Sequence, residues 1–197
     1  MKKNYQLELD VLLSRLEGRP RLLLHSCCGP CSSHVLEYLT RYFEVCLSYY
    51  NPNIQPREEY ELRLENQLKV LERIPGVTLA PCGYDGGAYD EAVRGIENEP
   101  EGGARCTECF ALRLDFAARE AKRLSCDYFA TTLTVSPHKD AQRINAIGEA
   151  LAGKYGVKWL PADFKKRDGY KRSIELSREF GLYRQNYCGC LYSKTEE

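Results

Sequence analysis

The chain has 197 residues, 43% of them hydrophobic. That excludes a disordered chain and suffices for a single α/β domain over residues 1–197 with a full core. Formal net charge is zero, so no chain-wide attraction to nucleic acid is expected. Residues 154–197 nevertheless carry ten Lys/Arg against six Asp/Glu, a basic surface able to meet phosphates or simply a solvated face.

The elements follow in chain order from periodicity. Helix is predicted over 5–16, strand over 22–25, helix over 33–42 and strand over 45–50. Next come helix over 57–73, strand over 77–81, helix over 107–124 and strand over 128–133. Helix over 137–154, strand over 157–160 and helix over 171–180 complete the series. Ser136 before Pro137 reads as an N-cap with proline at the first helical position. Strand–helix alternation predicts a parallel sheet of about five strands with helices on both faces. In such sheets ligands bind beyond the carboxyl ends of the strands. Cys27 and Cys28, Asn51 and Pro52, Cys82, Thr134 and Ser136, and Asp163 all follow predicted strands. They should converge on one edge.

No apolar run approaches membrane-spanning length, and Glu8, Asp10 and Arg15 interrupt any signal-peptide core. A soluble, cytoplasmic protein without a membrane partner is expected. In that compartment ten cysteines indicate metal binding or redox chemistry rather than a disulfide scaffold.

The first group, His25-Ser-Cys27-Cys28-Gly-Pro-Cys31, lies between a strand and a helix. A helix N-terminus favours thiolate, the form that ligates metal. Adjacent cysteines tend to diverge, which suits different corners of a multi-iron cluster better than one zinc ion. Cys31 is a spare thiol beside the site or packs the first helical turn. The second group, Arg105-Cys106-Thr-Glu-Cys109, opens a long helix. With Cys27 and Cys28 it supplies four thiolates, the number used by a [4Fe–4S] cluster, although a structural zinc site has the same count. The third, Tyr187-Cys188-Gly-Cys190, closes to a disulfide only in a small, strained ring. It is a labile redox pair or a further set of ligands.

Cys46 and Cys126 read as core residues and Cys82 as ambiguous. His25 is either a proton donor to the site or a satisfied core histidine. Asp85 and Asp163 are candidate metal ligands or acid groups, and Asp85 is also a natural turn residue in Tyr-Asp-Gly-Gly. Tyr49, Tyr50, Tyr183 and Tyr187 lie near Arg184, Gln185 and Asn186, a combination suited to stacking and reading an unpaired nucleotide.

Taken together, these segments resemble the QueH type of epoxyqueuosine reductase. The resemblance runs through Leu-Leu-His25-Ser-Cys27-Cys28-Gly-Pro-Cys31-Ser, Tyr50-Asn51-Pro52-Asn53-Ile54 and Gly103-Ala-Arg105-Cys106-Thr-Glu-Cys109-Phe. It continues through Thr131-Thr-Leu-Thr-Val-Ser136-Pro137, Phe164-Lys-Lys-Arg-Asp168-Gly-Tyr170 and Tyr183-Arg-Gln-Asn-Tyr-Cys188-Gly-Cys190, with no departure at any motif. It implies a cytoplasmic oxidoreductase that performs the last step of queuosine biosynthesis. The epoxide of epoxyqueuosine in a tRNA anticodon stem-loop becomes an alkene with loss of water. The step would be iron–sulfur dependent and cobalamin independent, and fed by an external electron donor. By position, Cys27, Cys28, Cys106 and Cys109 would hold a [4Fe–4S] cluster, and Cys188 and Cys190 would be the redox-active pair. A second, mononuclear iron completed by an acidic residue would also fit, with Asp85 the candidate. Tyr50, Asn51, Arg105, Ser136, Arg184 and Tyr187 would bind substrate. The implied fold resembles the adenine-nucleotide hydrolase-like, Rossmann-like architecture. ATP-dependent tRNA-modifying enzymes of that superfamily want a Ser-Gly-Gly-type phosphate loop where this chain has Cys-Cys-Gly-Pro-Cys. Two other readings compete: a thiol–disulfide oxidoreductase using Cys28/Cys31, and a zinc-stabilised tRNA-binding module.

Overall fold

The first strand, β1 (Arg21–His25), lies at the centre of a sheet in the order β3-β2-β1-β4-β5. The computed structural model describes residues 2–193. All four pairings are parallel, between β1, β2 (Glu44–Ser48), β3 (Thr78–Ala80), β4 (Tyr128–Thr131) and β5 (Lys158–Trp159). Parallel strands buried on both faces read as continuous apolar runs, as Leu22-Leu23-Leu24 does. Leu22 and Leu24 face one core with α1 (Tyr5–Ser14), α2 (Gly29–Leu39) and α3 (Arg57–Arg73). Leu23 faces the other, with Phe129, Trp159, α5 (Ala104–Arg123) and α6 (Ala141–Tyr155). Helix α7 (Gly169–Glu179) packs on α2. The expected sheet with helices on both faces is therefore present. Among the described residues, no helix is long and apolar enough to cross a membrane.

Several boundaries differ, and the differences shape the site. Helix α2 begins at Gly29, not residue 33, because Cys28 in extended conformation serves as its N-cap and Pro30 fits the first turn. Helix α5 begins at Ala104 rather than 107, which brings both Cys106 and Cys109 into its first turns. The N-cap expected at Ser136 is not formed. Residues Thr132–Val135 make a 3-10 turn, and Ser136 Oγ accepts from the His138 amide at 3.3 Å within the following turn. Helix α6 starts instead at Ala141, where Asp140 accepts from the Gln142 and Arg143 amides. A short helix, α4 (Gly86–Ala92), occupies the expected turn at Tyr-Asp-Gly-Gly. Two glycines hide it from propensity, but Asp85 caps it by accepting from the Ala88 amide at 3.2 Å.

Candidate active site

The β1–α2 loop is fixed from both sides. Ser26 donates its amide to the Ser48 carbonyl at 2.8 Å and its hydroxyl to Gln67 Oε1 at 2.6 Å. The Cys27 amide donates to Thr132 Oγ1 at 3.1 Å, and that hydroxyl donates onward to Cys27 Sγ at 3.3 Å. The sulfurs of Cys27, Cys28 and Cys31 all lie within 4.8 Å of one another. Cys27 and Cys28 do not diverge: their sulfurs are 3.9 Å apart. Their adjacency therefore does not by itself separate one metal ion from a cluster. Cys31 is a member of this group, because the early start of α2 turns it back over Cys28.

Of these three thiols, Cys27 is the one most favoured as thiolate. Hydrogen bonds from Cys28 and Cys31 hold its thiol well below the usual range, aided by Lys139 and Thr132. The same bonds push Cys28 up to about 11 and Cys31 well up. A thioredoxin-like use of Cys28 and Cys31 needs its low-pKa nucleophile within that pair, and here the thiolate lies outside it.

On α5, Cys106 and Cys109 share a face at i, i+3 spacing. The Gly102 amide donates to Cys106 Sγ at 3.2 Å, and Cys106 packs on the core that contains Cys27 and Cys28. Cys109 is buried, and burial pushes its thiol up while the nearby Arg113 guanidinium opposes this. Cys109 shares a small apolar cluster with Tyr89, Val93 and Cys190, and Cys188 packs against it. Cys190 Sγ lies 2.8 Å from Tyr89 Oη, and Cys188 Sγ 2.9 Å from Ser193 Oγ. A hydrogen bond from Cys190 holds the Cys188 thiol well below its usual range, with help from Lys139 and Ser193. The same bond pushes Cys190 up. Gly189 between them has φ +104°, and a Cβ there would lie 2.8 Å from Ile54 Cγ1. Only glycine suits both demands.

These elements surround a cavity of about 950 Å³. Cys27, Cys28, Cys31 and Cys188 line it, as do three residues expected to bind substrate: Ser136, Arg184 and Tyr187. The other three are buried and do not line it. Tyr50 is buried and stacked on Phe116 with centroids 3.9 Å apart. Asn51 donates to the Ser26 carbonyl at 2.8 Å and accepts from Arg113 at 3.5 Å. Arg105 is buried, donating to the carbonyls of Glu97 and Glu99 and lying over the Tyr192 ring. Asp85 is exposed and engaged as the α4 cap, and Asp163 is paired with Lys165 at 2.6 Å. Cys82 is half-buried against the α2–α3 core. Cys126 is buried, and Cys46, in β2, is half-buried.

His25 is the satisfied core histidine of the two readings. The Tyr50 carbonyl only accepts, so Nε2 carries the proton and donates to it at 3.1 Å. Thr131 Oγ1 then donates to Nδ1 at 2.8 Å. Burial first, and the Arg113 charge second, lower its pKa from 6.5 to about 3. The unfolded chain takes up this proton near pH 6.5 and the folded one only near 3. Stability from His25 is thus complete above pH 6.5 and is lost as pH falls towards 3. The effect is on the order of 5 kcal/mol at about 1.4 kcal/mol per pKa unit. Urea unfolding of His25→Gln should show a correspondingly flatter loss between pH 7 and 4. Parallel curves for parent and variant would refute this.

The family model for the epoxyqueuosine reductase QueH matches residues 22–196. The chain belongs to the QueH family. It is 40% identical over 206 residues to the epoxyqueuosine reductase QueH of Staphylococcus epidermidis, covering 100% of this chain and 87% of that one. It is 44% identical over 180 residues to the QueH of Streptococcus pyogenes, covering 89% and 71%. With the QueH of Thermotoga maritima it shares 36% over 184 residues, covering 89% and 91%. Among solved structures, the U34-tRNA thiolase NcsA from Methanococcus maripaludis, with its [4Fe–4S] cluster, superposes with a TM-score of 0.60 at 15% identity. That match covers 97% of this chain and 67% of the thiolase, a likeness of fold.

Within this QueH chain, sequence reading passed over two cations. Lys139 ends the turn before α6 and lines the thiol cavity. Burial lowers its pKa, but the charges of Cys27, Cys31 and Cys188 outweigh that and raise it. Arg113 is buried one helical turn beyond Cys109, whose carbonyl accepts from its Nε at 3.1 Å. The i, i+4 spacing from Cys109 was the available signal for Arg113. Lys139 had none.

Proposed function

We propose that this chain is an oxidoreductase that reduces epoxyqueuosine in the tRNA anticodon loop to queuosine. The epoxide takes up two electrons and two protons, loses its oxygen as water and becomes an alkene. The observation that supports this most is the meeting of two thiol groups on one cavity: Cys27, Cys28 and Cys31 on one wall, Cys188 on another. Its volume of about 950 Å³ accommodates a nucleoside drawn out of a loop.

Cys27, Cys28, Cys106 and Cys109 are the proposed ligands of a [4Fe–4S] cluster. The donor set suits the group in its chemistry: all four are sulfur, and Cys106 packs on the core that holds Cys27 and Cys28, with Cys109 one turn further along α5, although the sulfurs lying within 4.8 Å of one another are those of Cys27, Cys28 and Cys31. Such a cluster would supply electrons and a Lewis acid for the epoxide oxygen. The rest falls to side chains. Tyr170 and Tyr187 offer aromatic faces to a base, and Arg184 offers a cation to a phosphate. Cys188, a thiolate, and Cys190, which keeps its proton, form the redox pair. Closing to a disulfide releases two electrons and the one proton held by Cys190, so the second proton that the epoxide takes up comes from water, and an external two-electron donor reopens the pair.

The test uses protein purified without oxygen. About four irons with matching acid-labile sulfide per chain are expected, together with conversion of epoxyqueuosine to queuosine in tRNA, read by nucleoside mass spectrometry. Zinc without sulfide would sink the cluster. A loaded protein that leaves the epoxide intact would sink the activity.

A further inference from the structure

The thiol site has an uneven charge balance. Four cations lie at or near it: Arg63, Lys139 and Arg184 on the cavity wall, and buried Arg113, which reaches the Cys109 carbonyl and Asn51. Arg184 is taken up by the Ser173 carbonyl and the Ser177 hydroxyl. Arg63 is answered by Glu59, with Nε 2.6 Å from its carboxylate. Among the described residues, neither Lys139 nor Arg113 forms an ion pair with a carboxylate. Arg113 meets only neutral acceptors in hydrogen bonds, the Cys109 carbonyl and Asn51 Oδ1. Cations partly withdrawn from water need an anion at hand. The carboxylate on the cavity wall, Glu101, is exposed and forms no ion pair among the described residues, which leaves the sulfurs as the buried partners. Lys139 lines one cavity with Cys27, Cys28, Cys31 and Cys188, and its charge favours the thiolates of Cys27 and Cys188.

We propose that Lys139 and Arg113 are the built-in counter-charges of the thiolate centre, positioning residues that offset its negative charge and thereby set its reduction potential. This rests on the reading of the site as a thiolate-ligated iron–sulfur centre. Reduction adds negative charge, so a fixed cation nearby favours the reduced state and raises the potential. Lys139 is the better residue to test, because it is half-buried in a turn, whereas Arg113 also supports Asn51.

The experiment compares the parent with Lys139→Gln and Lys139→Arg, each loaded and handled without oxygen. Iron and sulfide content and the midpoint potential from a spectroscopic redox titration are the readouts. Lys139→Gln should shift the midpoint to a more negative value, and Lys139→Arg should stay with the parent. Loss of iron from the Gln variant alone is equally the expected signature of a missing counter-charge. An unchanged midpoint in Lys139→Gln, or the same shift or iron loss in both variants, overturns the proposal. A parent without iron and sulfide refutes the iron–sulfur reading instead. The proposal is then decided on metal-free protein by iodoacetamide labelling of Cys188 at fixed pH. Slower labelling in Lys139→Gln but not in Lys139→Arg upholds it, and equal rates overturn it.

Discussion

Cys188→Ser, Cys190→Ser and the double variant should each lose roughly 100-fold or more of multiple-turnover activity, about 2.7 kcal/mol in the barrier. The three losses should be nearly equal, because two thiols that act as one dithiol are not additive. The argument lies in how the two sulfurs are held. Their mutual hydrogen bond leaves Cys188 charged and Cys190 protonated. Ser193 and Tyr89 fix them from either side. Serine keeps much of that hydrogen bonding but stores no electrons. A second readout needs no variant. When substrate is added to reduced parent without a donor, the peptide carrying Cys188 and Cys190 should stop reacting with alkylating reagent as the epoxide disappears. A double variant that turns over at the parent rate would remove the relay from the mechanism.

The sequence revealed most where one signal dominated. Helix α3 matches its predicted bounds, because its charge pattern and flanking prolines leave little choice. The parallel sheet followed from apolar runs such as Leu22-Leu23-Leu24. Boundaries failed where a residue had two local uses. Ser136 is a plausible helix cap, but the 3-10 turn that ends β4 claims it, and Asp140 caps α6 instead. Asp85 and its two glycines suggest a turn, yet the aspartate stabilises the first turn of α4. Cys31 joined the thiols only because α2 starts at Gly29. Tyr50, Asn51 and Arg105 stand out in the sequence only as members of motifs. Burial keeps them off the cavity lining, and burial depends on which helix covers which strand end.

Gly29→Ala should destabilise the fold by about 2 kcal/mol and lower the iron content of the proposed cluster further than that loss alone explains. Gly29 begins α2 where the helix meets α3 at very close range. A Cβ built there lies 2.7 Å from the Asn66 carbonyl oxygen and 3.0 Å from its carbon. Both are backbone atoms inside α3, so no rotamer change relieves the clash. Overpacking of this kind typically costs about 1–3 kcal/mol, and a rigid neighbour puts it near the top. The helix preference for Ala over Gly returns up to about 1 kcal/mol. The contact is also tied to the thiols. Gln67 Oε1, one residue past Asn66, accepts from Ser26 at 2.6 Å and from Ser32 at 2.8 Å, bracketing Cys27, Cys28 and Cys31. Pushing α2 from α3 therefore separates the sulfurs that now lie within 4.8 Å of one another. Gly153→Ala is the internal control, since it sits in α6 with nothing within 4 Å of the added carbon. It should stabilise by up to about 1 kcal/mol. In thermal unfolding, about 2–4 °C per kcal/mol at this chain length, the two variants should move in opposite directions. Only Gly29→Ala should lose iron. If Gly29→Ala unfolds and loads like the parent, the close approach of α2 to α3 is not what holds the thiol loop together.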